Sequence, residues 1–281
     1  MTDNAKTASL ILAAGRGSRF VEYSGNKTLL PLVRGESVLE GNNPILLNIL
    51  NNLPPGPKAI VVNYRKEDVI ETTKGLNLTY CIQPELNGTG GALLAARDFL
   101  EGQNYEHLII TMGDIPFVAR STYLKLAENL KNNSLVVLGF RPGSKRQYGL
   151  LETDRNKVKK IIEWKYWKRY PEQRQIELDI CNSGIYASKK HDLLNYLSIL
   201  SSRPHLVQKK INGKLIERQE YFITDLIEYM HKDGLSTGYL IAEDEKEVMG
   251  IDDIPALERA QRIFNEIAVV RIPGKSLLPQ P

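Results

Sequence analysis

Leu12-Ala13-Ala14-Gly15-Arg16-Gly17-Ser18-Arg19-Phe20 stands directly after an apolar run at residues 8–12 that reads as a buried strand. Small side chains and two glycines let the backbone of such a loop approach a ligand closely. Its successive N–H groups form a concavity suited to an anion. Two commoner phosphate loops do not fit. No Gly-Lys-Ser/Thr closes the stretch, as a P-loop requires, and Phe20 occupies the third glycine position of the dinucleotide fingerprint.

Outward from this loop, strand-like and helix-like stretches alternate. Helices are expected at residues 45–52, 66–74, 89–100 and 121–132, and strands at 58–63, 77–82, 107–112 and 135–140. Apolar runs separated by amphipathic helices predict an α/β fold with a doubly wound, mixed but mostly parallel, Rossmann-like sheet. Ligands of such sheets bind beyond the carboxyl ends of the strands. After Arg141 the pattern changes. A hairpin is expected from 148–152 and 157–163, then a strand at 179–187, helices at 190–201 and 222–232, a strand at 237–242 and a helix at 254–266. This part reads as a small acceptor-side β subregion on the same sheet. One domain is therefore expected over 1–266, with halves 1–140 and 141–266. Residues 267–281, with Pro273, Pro279 and Pro281, read as an extended tail.

Composition narrows the classes. A chain of 281 residues with 42% hydrophobic and 25% charged residues is ordinary for a globular protein. A formal charge of +4 is too mild to imply a nucleic-acid partner. The basic residues that thicken between Arg155 and Arg174 read most simply as a solvated face. Cys81 and Cys181 are far apart, and the four histidines have no paired spacing, which argues against a disulfide framework and a zinc site. The polar start of the chain and the lack of a long apolar run lead us to expect a cytoplasmic protein that does not enter a membrane.

Individual residues then point to chemistry. Arg19 and Lys27 bring charge to where a triphosphate would lie. Gln83 follows the third strand, and its amide offers an acceptor beside a donor. That suits the N3–H and carbonyl edge of uracil or thymine, and a rotated amide would serve cytosine. Asp114 ends the fourth strand and Asp252 follows Gly250-Ile251. Hard magnesium takes a few carboxylate oxygens together with phosphate and water, so two aspartates would suffice; each also reads as a turn or helix-start residue.

Residues 12–20, followed by Lys27-Thr28-Leu29-Leu30-Pro31, resemble the signature of the nucleotide-sugar pyrophosphorylases. The likeness is greatest to the N-acetylglucosamine-1-phosphate uridylyltransferase domain of the bifunctional enzymes. It recurs in order at Gln83 with Gly88-Thr89-Gly90-Gly91-Ala92, at Gly113-Asp114-Ile115-Pro116, at Tyr148-Gly149 and at Glu163. It continues at Asn182-Ser183-Gly184-Ile185-Tyr186, Glu220-Tyr221-Phe222-Ile223-Thr224-Asp225 and Gly250-Ile251-Asp252. The resemblance implies the GT-A-like nucleotidyltransferase fold and transfer from UTP to a hexosamine or hexose 1-phosphate, giving a UDP-sugar and pyrophosphate. Leu12, Ala13, Ala14, Gly15, Gly17, Gln83, Gly88 and Thr89 would bind the nucleotide, with Arg19 and Lys27 catalytic. Gly149, Glu163, Asn182 and Thr224 would bind the sugar, Lys165 its phosphate, and Asp114 and Asp252 the Mg2+.

The chain departs from the pattern in several places. One extra residue lies between Arg19 and Lys27, Asn26 replaces a proline, and Trp164-Lys165-Tyr166-Trp167 stands where relatives carry a His-Lys-Asp-Ala-like run. The two tryptophans read as packing residues. No hexapeptide array follows the domain, so the second activity of the bifunctional relatives is not carried over. The rival readings are a thymidylyl- or cytidylyltransferase of the same fold and a nucleotide-sugar-binding regulator without turnover.

Overall fold

β1 (Thr7–Leu12) is buried along both faces because apolar side chains alternate between two cores. The computed structural model describes residues 7–17, 19–211 and 214–270. After β1 come β2 (Pro31–Arg34), β3 (Gly41–Pro44), α1 (Ile45–Asn52), β4 (Lys58–Val62), α2 (Lys66–Thr72) and β5 (Thr79–Ile82). Next are α3 (Thr89–Ala95), α4 (Arg97–Gly102), β6 (His107–Met112), α5 (Arg120–Asn129) and β7 (Leu135–Phe140). The second half begins with β8 (Leu150–Asp154), β9 (Lys157–Ile162), α6 (Trp164–Trp167), α7 (Glu172–Glu177) and β10 (Cys181–Lys189). It ends with α8 (Lys190–Ser202), β11 (His205–Ile211), β12 (Lys214–Glu220), α9 (Ile223–Lys232), β13 (Thr237–Ile241) and α10 (Ile254–Val270).

The main sheet runs β13-β7-β10-β6-β1-β4-β5, with β8 and β9 attached beside β10. Pairing is parallel between β1 and β4, β1 and β6, β4 and β5, and β13 and β7. β10 is antiparallel to both β6 and β7. The sheet is thus mixed and mostly parallel, as expected. A strand from the second half lies in its middle, so the two halves share one sheet. Ile11, Ile60, Ile109 and Val136 face a core with α1, α5 and α10, whereas Leu10, Val61, Leu108 and Val137 face one with α3, α4, α8 and α9. Helices on both faces explain why these strands read as unbroken apolar runs.

The structure corrects some boundaries. The helix expected at 89–100 is two helices, because Ala96 N donates to Leu93 O (3.1 Å) in a tightened turn before a new helix starts. The tail expected from 267 begins later, since α10 continues through Val270. No helix breaker occurs between Glu266 and Pro273 to stop it earlier. The rest of that tail, 271–281, lies outside the described residues. Two hairpins, β2–β3 and β11–β12, were not expected.

Candidate active site

β1, β4, β5 and β6 are parallel, so their carboxyl ends open at one rim. β1 has β6 on one side and β4 on the other, which makes a crevice at the change of direction. The ladder runs a residue past the strands: Ala13 N donates to Val61 O, Gln83 N to Val62 O and Gly113 N to Leu12 O, each at 2.9 Å. Three loops are thereby fixed at their roots. They enclose a cleft of about 330 Å³ lined by Leu12, Ala13, Ala14, Gly15, Lys27 and Asp114 on one side. Gln83, Gly88 and Thr89 line the other.

Lys27 is held by its neighbour. Asn26 is fully buried and donates from Nδ2 to Tyr64 O (2.8 Å) and Ala13 O (3.4 Å), while its Oδ1 accepts from Thr28 N (3.0 Å) and Thr28 Oγ1 (2.8 Å). The departure from proline at position 26 thus supplies four bonds, two within the Lys27 segment and one each to the segments after β1 and β4. Gly17, at φ 61°, lets the Lys27 stem lie against it; a Cβ there would come within 2.9 Å of Lys27 Cβ. Asn26→Ala should strand buried partners and destabilise the protein by about 1–3 kcal/mol. A thermal melt that matched the unsubstituted protein would contradict this anchor.

The Lys27 ammonium bonds Asp114 Oδ2 and lies 3.5 Å from Asp252 Oδ1. Arg19 Nη1 lies 3.3 Å from Asp252 Oδ2. Asp252 comes from far along the chain, and the hydrogen bond from Ile251 N to Asp114 O (3.0 Å) sets its loop against the end of β6. Burial pulls the Lys27 pKa down, but Asp114 and then Asp252 outweigh it, so the ammonium holds its proton more firmly than usual. Two cations and two carboxylates therefore form one alternating chain, Asp114–Lys27–Asp252–Arg19. Asp252 and Arg19 do not line the nucleotide-sized cleft. They line a neighbouring cavity, which meets the cleft at the Lys27–Asp252 ion pair.

This donor set fits magnesium. Among the described residues no group of three or more His, Cys, Asp or Glu side chains could hold a metal by itself. Two carboxylates at the rim of the cleft, both within reach of Lys27, match the way magnesium is bound, where substrate phosphates and water complete the shell.

Gln83 is 3% exposed. Its Nε2 donates to Asn87 Oδ1 (2.9 Å) and to Gly88 O (3.2 Å). Turning the amide over would set its oxygen against a backbone carbonyl, so the orientation is determined, and Oε1 has no partner among the described residues. Gly88 is at φ 93°, and a Cβ there would come within 2.3 Å of Tyr221 O. The backbone of Tyr221 is stitched into this loop by Tyr221 N to Asn87 O (2.9 Å) and Gly90 N to Tyr221 O (2.8 Å).

A second cavity of about 1010 Å³ adjoins the cleft through Thr89 and Met112. Glu163, Lys165, Asn182 and Thr224 line it together. Gly149 sits behind Glu163: Asn182 N donates to Gly149 O (2.8 Å), and a Cβ at 149 would lie 3.6 Å from Glu163 Oε2. Burial raises the Glu163 pKa, against Lys165 and with Asp225. Asn182 Nδ2 donates to Tyr186 Oη (2.9 Å). Trp167 is a packing residue, 6% exposed with Nε1 donating to Tyr148 O (2.8 Å), whereas Trp164 lines the cavity beneath Lys168 (3.9 Å to the ring centroid).

Some lining residues were not singled out from the sequence. Lys209 and Glu220, an ion pair on β11 and β12, reach the nucleotide-sized cleft. His205 and Asp225, 2.8 Å apart, line the larger cavity. Glu220 and Asp225 stood inside a quoted motif without a role; Lys209 and His205 carried no signal, because the hairpin bearing them was itself not expected.

Residues 9–169 match the model of the MobA-like NTP transferase domain. The chain is 25% identical over 257 residues to the bifunctional protein GlmU of Buchnera aphidicola subsp. Baizongia pistaciae, covering 92% of this chain and 52% of that protein. It is 30% identical over 268 residues to the bifunctional protein GlmU of Cereibacter sphaeroides, covering 93% and 53%. The chain thus spans about half the length of these curated relatives. Among solved structures it superposes on the uridine diphosphate N-acetylglucosamine pyrophosphorylase from Trypanosoma brucei with a TM-score of 0.71, at 12% identity, covering 96% of this chain and 69% of that one. A chain assigned as a glucose-1-phosphate thymidylyltransferase from Bacillus anthracis gives a TM-score of 0.65 at 19% identity, covering 96% and 98%. The last two show a common fold. No helix among the described residues is long and apolar enough to cross a membrane.

Proposed function

The chain belongs to the MobA-like NTP transferase domain family, and from that premise we propose that it is a sugar-1-phosphate uridylyltransferase. It would take UTP and a hexose or hexosamine 1-phosphate and release pyrophosphate. The observation that carries this reading is the chain Asp114–Lys27–Asp252–Arg19, whose Asp114–Lys27 end lines the nucleotide-sized cleft from which the larger cavity opens at Thr89 and Met112. A nucleotide in one and a phosphorylated sugar in the other would meet there.

In this reaction an oxygen of the sugar phosphate attacks the α-phosphorus. A new P–O bond forms, the bond to the bridging oxygen of the β-phosphate breaks, and its electron pair leaves with pyrophosphate. Both reactants are anions, so the barrier is mainly repulsion and orientation, and positioned charge lowers it. The backbone of Ala13–Gly15 lies along the phosphates. Lys27 and Arg19 neutralise charge as it builds on the leaving pyrophosphate, and Asp114 and Asp252 would hold magnesium. That ion, when bound, would supply positive charge that offsets repulsion between the two anionic reactants. Glu163 accepts from sugar hydroxyls, Asn182 and Thr224 bind the ring, and Lys165 binds the sugar phosphate. No covalent intermediate on the protein is required.

Base choice rests on Gln83. Its amide donor is engaged within the protein, which leaves an acceptor for the N3–H of uracil or thymine and no donor for the unprotonated N3 of cytosine. The cytidylyl reading is therefore disfavoured. Uracil is preferred to thymine on the resemblance to the uridylyltransferases. The test is pyrophosphate release by purified protein over a panel of triphosphates and sugar 1-phosphates. UTP should lead the panel, and Gln83→Ala should raise the UTP KM roughly ten- to a hundredfold and weaken base preference. Absence of turnover with any pair, together with retained nucleotide-sugar binding, would favour the regulator reading.

A further inference from the structure

Beside the nucleotide-sized cleft, joined to it by the Lys27–Asp252 ion pair, lies a separate cavity of about 500 Å³ lined by Arg19 and Asp252. Arg146 and Arg259 line its far side. Neither forms an ion pair or a side-chain hydrogen bond among the described residues, and none of the roles assigned above uses them. Arg259 is half-buried on α10, whereas Arg146 lies in the loop between β7 and β8, with its backbone in the left-handed region at φ 42°.

The carboxylates of this cavity are already engaged. Asp252 faces Lys27 and Arg19. Asp253 Oδ1 accepts from Ala256 N (2.8 Å) and so caps α10. Three arginines thus share one cavity with two aspartates, so cationic groups outnumber carboxylates on its wall and Arg146 and Arg259 carry no ion pair among the described residues. A guanidinium presents a planar fork of donors that matches phosphate oxygens, so such a place suits an anion carrying several of them. The cavity also continues outward. A smaller one of about 300 Å³ shares Arg146, Tyr148 and Arg259 and runs on between the β7–β8 loop and the segment before Gly250.

We propose that this arginine cavity binds pyrophosphate, receiving the leaving group from the Lys27–Arg19 end of the site and passing it outward. The proposal rests on the transferase reading above. Arg19 links the two places, since it lines the new cavity and its partner Asp252 also faces Lys27 of the nucleotide-sized cleft. Pyrophosphate carries several negative charges, and moving it away from magnesium and Lys27 needs a second cationic place nearby. Arg146 and Arg259 supply it, and they act after the bond has broken.

The test is calorimetric titration of the full chain with magnesium pyrophosphate and, separately, with UMP and with orthophosphate. The unsubstituted protein is compared with Arg146→Ala/Arg259→Ala, and each variant is checked by a thermal melt. Pyrophosphate affinity is expected to fall about tenfold or more in the double variant, while UMP affinity holds. Arg146→Lys/Arg259→Lys keeps the charge but loses the fork, so it should fall in between. Unchanged pyrophosphate affinity in the double alanine variant would overturn the assignment. So would an equal fall for UMP, which marks a structural role, or equal affinity for orthophosphate, which marks a general anion site. Should the unsubstituted protein bind UMP but not pyrophosphate, the cavity assignment fails while the transferase reading stands. Binding of neither would bring down the transferase reading, and this proposal with it.

Discussion

Lys27→Ala is expected to lower kcat/KM for the nucleotide by two to three orders of magnitude, about 3–4 kcal/mol of transition-state stabilisation. Its ammonium sits between Asp114 and Asp252 in a partly dry place, with a pKa held above the usual lysine value. A charge so placed needs no rearrangement as negative charge builds on the leaving phosphates. Arg19 does not replace it, because Arg19 reaches only Asp252 and stays largely exposed. Magnesium dependence should persist in the variant, since both carboxylates remain. The check is steady-state pyrophosphate release at several magnesium concentrations. Turnover within a few-fold of the unsubstituted protein would remove Lys27 from the phosphate path.

Asp114→Ala is expected to reduce turnover by roughly three orders of magnitude or more, and to abolish its response to magnesium. The two substitutions remove opposite ends of one ion pair, yet their signatures differ. One leaves a metal-dependent, slow enzyme; the other leaves the lysine without its stronger partner and the site with one carboxylate. The fold should be little affected, because among the described residues the Asp114 side chain bonds only Lys27 while its backbone oxygen keeps Ile251 N. Melting temperature and Mn2+ binding, measured beside activity, separate the cases. A variant that melts normally and still turns over normally with magnesium would rule out Asp114 as a ligand.

Much of the candidate site was legible in the sequence because it is local. Gly17 belongs to the segment that follows β1 directly, and position after a strand of a parallel sheet already implies the ligand-binding rim. Asp114 was readable for the same reason, whereas Lys27 was legible through the short motif around it. Asn26 was noticed only as an exception, since its four bonds go to partners on other loops as well as its own. Lys209 and His205 were not legible at all: the β11–β12 hairpin that carries them mixes charged and apolar residues without a core face. Arg146 and Arg259 were missed because a lone arginine on a loop or helix has no pattern, and only the three-dimensional convergence with Arg19 distinguishes them.

The sequence alone determined the alternating elements, the two-faced burial of the strands and the glycine-containing loop after β1, because each depends on neighbours within a few residues. Tertiary structure decided the rest. The entry of β10 between β6 and β7 cannot be read from apolar periodicity, which says that a strand is buried but not beside which strands. The approach of Asp252 to Asp114 depends on one backbone hydrogen bond between segments far apart in the chain. The orientation of the Gln83 amide depends on a carbonyl that folding brings up to it. Local sterics and burial set what each segment becomes; strand order and the hydrogen bonds between distant loops set what those segments can do together.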